Sequence, residues 1–184
     1  MERPDASEYL VLRQTIARRG SLRPILVLIG IGLWALALTA VLAWLPYPAG
    51  ITIPLVVLLT TFEAIRPLHF GAERVGRYLQ VFYEEAGDPD RVLTDTPSWE
   101  RVAMNFGAVP GAGGHPLFVP IFALATFLNY LGILVMGPVP VELAVMAVPH
   151  LAFLAWLASA HRAMNTQREI ELGRLRALAR IDKR

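Results

Sequence analysis

Residues 24–45 read PILVLIGIGLWALALTAVLAWL, a run of 22 residues without a charge. At about 1.5 Å per residue a helix of this length spans about 33 Å, enough to cross a hydrocarbon core about 30 Å thick. A second uncharged run of 22 covers residues 116–137. Two more apolar stretches each follow a short turn. Residues 51–62 continue as helix beyond Glu63, and residues 141–160 are apolar apart from Glu142 and His150. The expected fold is all-α: a polytopic membrane protein with four transmembrane helices in two helical hairpins, joined by amphipathic cytoplasmic helices.

The rest of the 184 residues fits this frame. Hydrophobic residues make up 55% of the chain, above the roughly 45–50% of soluble domains. There is no cysteine, which excludes disulfides and thiolate metal sites. Basic residues precede the first apolar run, but the run is too long for the core of a cleaved signal and reads as a retained anchor.

Charge gives the orientation. All 17 Lys and Arg residues fall in three segments: Arg3 to Arg23, Arg66 to Arg101, and Arg162 to Arg184. The two intervening turns, PYPAG and GPVPVE, hold none. Positive charge is retained on the cytoplasmic side. Both termini and the central loop are therefore expected in the cytoplasm. The outer turns are then too short to form an external domain. Ala/Leu/Arg-heavy usage suits a bacterial inner membrane.

Five segments follow. Residues 1–23 form an amphipathic helix at the membrane surface, with Ser7 as cap and Gly20 as stop. Residues 24–66 are the first transmembrane hairpin. Residues 67–114 are cytoplasmic: a helix, bent near Pro67, with Leu68, Ala72, Val75, Leu79 and Phe82 on its apolar face and His69, Glu73, Gly76, Arg77 and Gln80 on its other faces. It leads into an acidic turn region, a short helix opening at Thr96-Pro97, and a Gly-rich loop. Residues 115–160 are the second hairpin, and 161–184 a basic helical tail able to hold anionic lipid or another chain. An offset of 92 residues aligns the two hairpins, with seven of 26 pairs identical between positions 23 and 48 and with His69 falling on His161. A parallel repeat of this kind occurs in transporters.

The candidate sites are few. Glu63 and Arg66, at i and i+3, form either a carboxylate on a polar path or an interfacial pair where the helix leaves the membrane; the second is expected. His150 lies near the middle of the fourth helix. Asn129 and Tyr130 lie about as far from the second turn, giving a polar layer near midplane. Ala37 and Leu58 hold the equivalent places in the first hairpin. The layer is read first as a hydrogen bond fixing register and second as a proton or ligand path. His69 and His161, on neighbouring helices, could ligate haem or a metal. The Gly107–Gly114 loop lacks the Lys-Ser/Thr of a phosphate loop.

No catalytic set is present, so the first expectation is a non-catalytic accessory or scaffold subunit of a membrane assembly. It has no predicted cofactor. Its partners are the lipid bilayer, including anionic lipids, and further copies of itself or a larger complex; nucleic acid is not expected. A small oligomeric transporter or channel using the Asn129/Tyr130/His150 layer is the first alternative. A haem-binding redox subunit is the second.

Overall fold

A computed structural model describes residues 6–45, 47–85 and 117–181. These form helices α1 (Ala6–Trp44), α2 (Thr52–Leu79), α3 (Val119–Leu131) and α4 (Pro140–Ile181). A 3-10 turn, Pro48–Ile51, leads into α2, and a π-helical turn, Gln80–Glu85, follows it. The last turns beyond α3 tighten to 3-10 over Gly132–Met136. There is no strand among the described residues. Four helical stretches are long and apolar enough to cross a membrane: Ser7–Trp44, Pro48–Phe82, Val119–Met136 and Pro140–Ala179. The residues from 86 to 116, which include the acidic region, the Thr96-Pro97 helix, the Gly-rich loop and His115, lie outside the described residues.

The helices are longer than the apolar runs within them. α1 has 39 residues and α4 has 42, about 58 and 63 Å at about 1.5 Å per residue. The expected break between residues 1–23 and the first apolar run is absent, because α1 passes through Gly20 and Pro24. A proline ring ordinarily strikes the carbonyl four residues earlier. That residue is Gly20, and the helix continues past it all the same. α2 likewise passes through Pro67, and α4 runs through Pro149 and past residue 161 to the end of the described chain.

Successive helices run in opposite directions. Arg23 meets His69 and Trp34 meets Asn129. The Cβ of a residue larger than Gly30 would lie 2.1 Å from Thr61 Cγ2, and one at Gly50 would lie 3.1 Å from Val41. α1 and α2 thus lie antiparallel along their lengths. α2 and α4 lie parallel: Glu63 meets Trp156 and Arg77 meets Glu171, at separations of 93 and 94 residues. Trp34 and Asn129, on α1 and α3, are separated by 95. The contacts between parallel helices thus fall at separations of 93 to 97 residues.

The core is aromatic at its centre. Phe62 is fully buried and meets Phe122 and Phe153 edge-on, at centroid distances of 5.4 and 6.2 Å. Such edge-to-face pairs add about 0.5–1.5 kcal/mol beyond their buried area. The outside is apolar too: Leu28 is 75% exposed and Leu36 68%. A helix apolar all round is suited to lipid rather than water. At the turn before α4, Gly137 adopts φ +65°, and Glu142 Oε2 accepts from the Val139 N–H at 2.9 Å. This is half of a capping box, with Pro140 at the first helical position.

Candidate functional site

Three polar constellations stand out, one at each level of the bundle. The first surrounds Asn129, which is fully buried on α3. Its Nδ2 donates to the Ile51 carbonyl at 3.0 Å and to His150 Nε2 at 3.0 Å, and its Oδ1 accepts from Trp34 Nε1 at 3.1 Å. His150 Nδ1 lies 2.7 Å from the Met146 carbonyl. A carbonyl can only accept, so the proton sits on Nδ1 and Nε2 accepts from Asn129. Tyr130 meets the His150 ring edge-on at 5.3 Å and donates to the Leu143 carbonyl at 3.2 Å. The structure therefore brings Asn129, Tyr130 and His150 together.

It corrects one detail. The first helix pair is not silent at this level: Trp34 and the Ile51 carbonyl complete the network, where Ala37 and Leu58 were expected to face it. The Ile51 carbonyl belongs to the turn that starts α2, so that turn takes part in the network.

The second constellation is Glu63, Arg66 and Trp156. Arg66 Nη1 donates to Glu63 Oε1 at 3.0 Å, Trp156 Nε1 donates to the same oxygen at 2.6 Å, and the guanidinium lies 4.9 Å from the Trp156 ring centroid. The Glu63 side chain is 42% exposed. The pair lies on the outside of the described bundle. Trp156 was not anticipated.

The third constellation is charged and joins α1, α2 and α4. Arg77, only 4% exposed, donates to Glu171 through Nη1 and to Glu73 through Nη2. Arg74 and Gln167 also donate to Glu171, at 3.1 and 3.0 Å. Next to it, Arg23 Nη1 donates to His69 Nδ1 at 2.8 Å, which leaves the proton of His69 on a buried Nε2. Burial pushes the Glu171 carboxyl up, but the hydrogen bonds from Arg74 and Arg77, the Arg77 charge and Gln167 outweigh it and hold it below its ordinary range. Glu171 lies well past the apolar part of α4, in the stretch that extends beyond a membrane's thickness.

This reverses part of the expected amphipathic pattern. His69, Gly76 and Arg77, expected away from the apolar face of the 67–83 segment, are buried along with Ala72 and Leu79. Two helices cause this: α1 covers His69 through Arg23, and the extension of α4 supplies Glu171 as the counter-charge that lets Arg77 go inside.

For ligation, His69 already uses Nδ1 with Arg23, and His161 is half-buried on α4. No group of three or more His, Cys, Asp or Glu able to hold a metal occurs among the described residues.

No family model, curated protein or solved structure matches the chain. Its function has to be read from these three constellations.

Proposed function

We propose that this chain is a multi-pass protein of the cell membrane, of the bacterial inner-membrane type. Its four helices cross as two hairpins, with the ends carrying Arg13 and Arg174 in the cytoplasm. Its role is that of a non-catalytic accessory or scaffold subunit. The observation that carries this is the length of α1, α2 and α4. α4 alone, at about 63 Å, is twice the hydrocarbon thickness of about 30 Å. The surplus forms a helical stalk, held together by Arg77–Glu171 and Arg23–His69. The stalk leaves Leu10, Val11, Ile170 and Leu178 half or more exposed. Exposed apolar side chains on a stalk beyond the lipid are suited to protein contact.

The polar network around Asn129 supports the same reading. Its hydrogen bonds close on one another, as in a register lock, rather than lining a path. A transporter or channel remains the alternative through His150, and its test is flux: His150→Leu is expected to leave ion flux in liposomes unchanged.

Native mass spectrometry of gently solubilised protein tests the scaffold reading. The expected result is a mass above that of one chain, falling to a single chain in the double variant Ile170→Asp/Leu178→Asp with unchanged helicity. A single chain for the unmodified protein at every concentration would overturn it.

A further inference from the structure

Between the second and third constellations, α2 and α4 part to leave a half-open groove. Arg66 and Phe70 line one side; Trp156, Ser159, Ala160, Ala163 and Gln167 line the other. Small side chains make the room: three of the α4 positions carry Ser or Ala. The deep end is closed by Glu63–Arg66–Trp156 and the far end by Arg74–Glu171–Gln167.

Depth gives the groove a meaning. Counted from Pro48, Arg66 lies about 27 Å along its helix and Phe70 about 33 Å, at about 1.5 Å per residue. These distances straddle the edge of a hydrocarbon core about 30 Å thick. Trp at this depth is an interfacial anchor. The Arg66 guanidinium is held in place by one hydrogen bond from Nη1 to Glu63 and by stacking on Trp156, and its side chain is still 29% exposed. A guanidinium carries five N–H donors in a fixed fork that matches phosphate oxygens.

We propose that this groove binds the head group of one phospholipid from the cytoplasmic leaflet. The phosphate sits at Arg66, the head-group substituent occupies the space over Ser159 and Ala163, and the acyl chains lie outside along Trp156 in the bilayer. This rests on the membrane reading above. Charge complementarity selects the occupant. The groove offers a cation at the lipid-phosphate level, an apolar floor and a polar rim at Gln167.

The test is native mass spectrometry of delipidated protein titrated with phosphatidylglycerol, with inorganic phosphate as a separate arm. The expected result is one retained lipid per chain and no competition by millimolar phosphate. Arg66→Gln is expected to weaken retention about fivefold, the effect of one basic group near the surface. Ala163→Leu, which fills the floor and leaves Arg66 in place, is expected to abolish it with melting unchanged. Retention by Ala163→Leu equal to that of the unmodified protein, or no retained lipid at all, overturns the proposal. Displacement by inorganic phosphate would instead make the site one for a soluble anion, and would equally overturn the lipid assignment. Chain that stays in the membrane fraction yet retains no lipid would sink this inference alone; chain released from membranes by alkaline carbonate would sink the membrane reading itself.

Discussion

The two buried polar networks are built on opposite principles. The one around Asn129 is neutral: an amide, an indole, an imidazole and a carbonyl, each satisfying another. The one around Arg77 is ionic, and it places a guanidinium at 4% exposure against two carboxylates. The neutral network lies in the part of the bundle whose outside is apolar. The ionic one lies in the stalk, where water can solvate Arg74 and Glu73 on its rim. The difference teaches that, among the described residues, the buried ion pair lies past the apolar belt, where the desolvation cost of a buried ion is partly relieved, while the charged Glu63–Arg66–Trp156 contact inside it stays on the outside of the bundle.

Substitutions should separate the two. The largest effect is expected from Glu171→Ala, which leaves Arg77 buried with only the long contact to Glu73. Removing one partner of a buried pair costs about 3–5 kcal/mol, and partial exposure of Glu171 puts this case near the lower figure. Thermal melting in mild detergent, followed by tryptophan fluorescence, should report it. A loss below about 1 kcal/mol would show that Arg77 is solvated and the network is not structural.

Gly30→Ala comes next. Its added Cβ would meet Thr61 at 2.1 Å, so α1 and α2 must move apart, at about 1–3 kcal/mol. Gly32→Ala is the control, because nothing lies within 4 Å of its Cβ position. The same melting assay should show the first destabilised and the second unchanged.

Asn129→Leu should cost less than either, about 1–2 kcal/mol. Interhelical hydrogen bonds in membranes average only about 0.6 kcal/mol each. Because it frees Trp34 Nε1, its fluorescence should also shift relative to the unmodified protein. No shift would mean that the Trp34 contact is not formed.

The pH dependence sharpens the comparison further. The folded state lowers the Glu171 carboxyl below its unfolded value, so its stabilisation is present above the unfolded pKa and is lost as pH falls through the folded one. Acid should therefore loosen the stalk at pH values below the ordinary carboxylate range. Glu171→Gln should flatten that dependence, as read by melting temperature against pH. The smallest effect is expected from Arg74→Gln. Its side chain is 66% exposed, and exposed pairs contribute about 0–1 kcal/mol.

Much of this was legible in the residues. Uncharged runs at 24–45 and 116–137 announce helices long enough to span a bilayer, because only a helix satisfies the backbone groups of one such continuous run within itself. Asn129, Tyr130 and His150 were findable by counting from a shared turn. Trp34 was not, since an indole in an apolar run reads as packing until its partner is known. Nor was the burial of Arg77. Helical periodicity places a charge outside, and only a counter-charge 94 positions away reverses that. Gly20, read as a stop, misled, because α1 continues through it and Pro24 to Trp44.

The central claim is that the stalk and the Pro48 turn lie on opposite sides of a membrane. The chain has no cysteine, so single ones can be placed at will. Tyr47→Cys and Leu178→Cys sit at exposed positions at the two ends, 69% and 58% exposed. Labelling of intact cells with a membrane-impermeant maleimide is the most direct measurement. Tyr47→Cys is predicted to react at once, and Leu178→Cys only after the membrane is permeabilised. Equal labelling of both in intact cells would contradict the account.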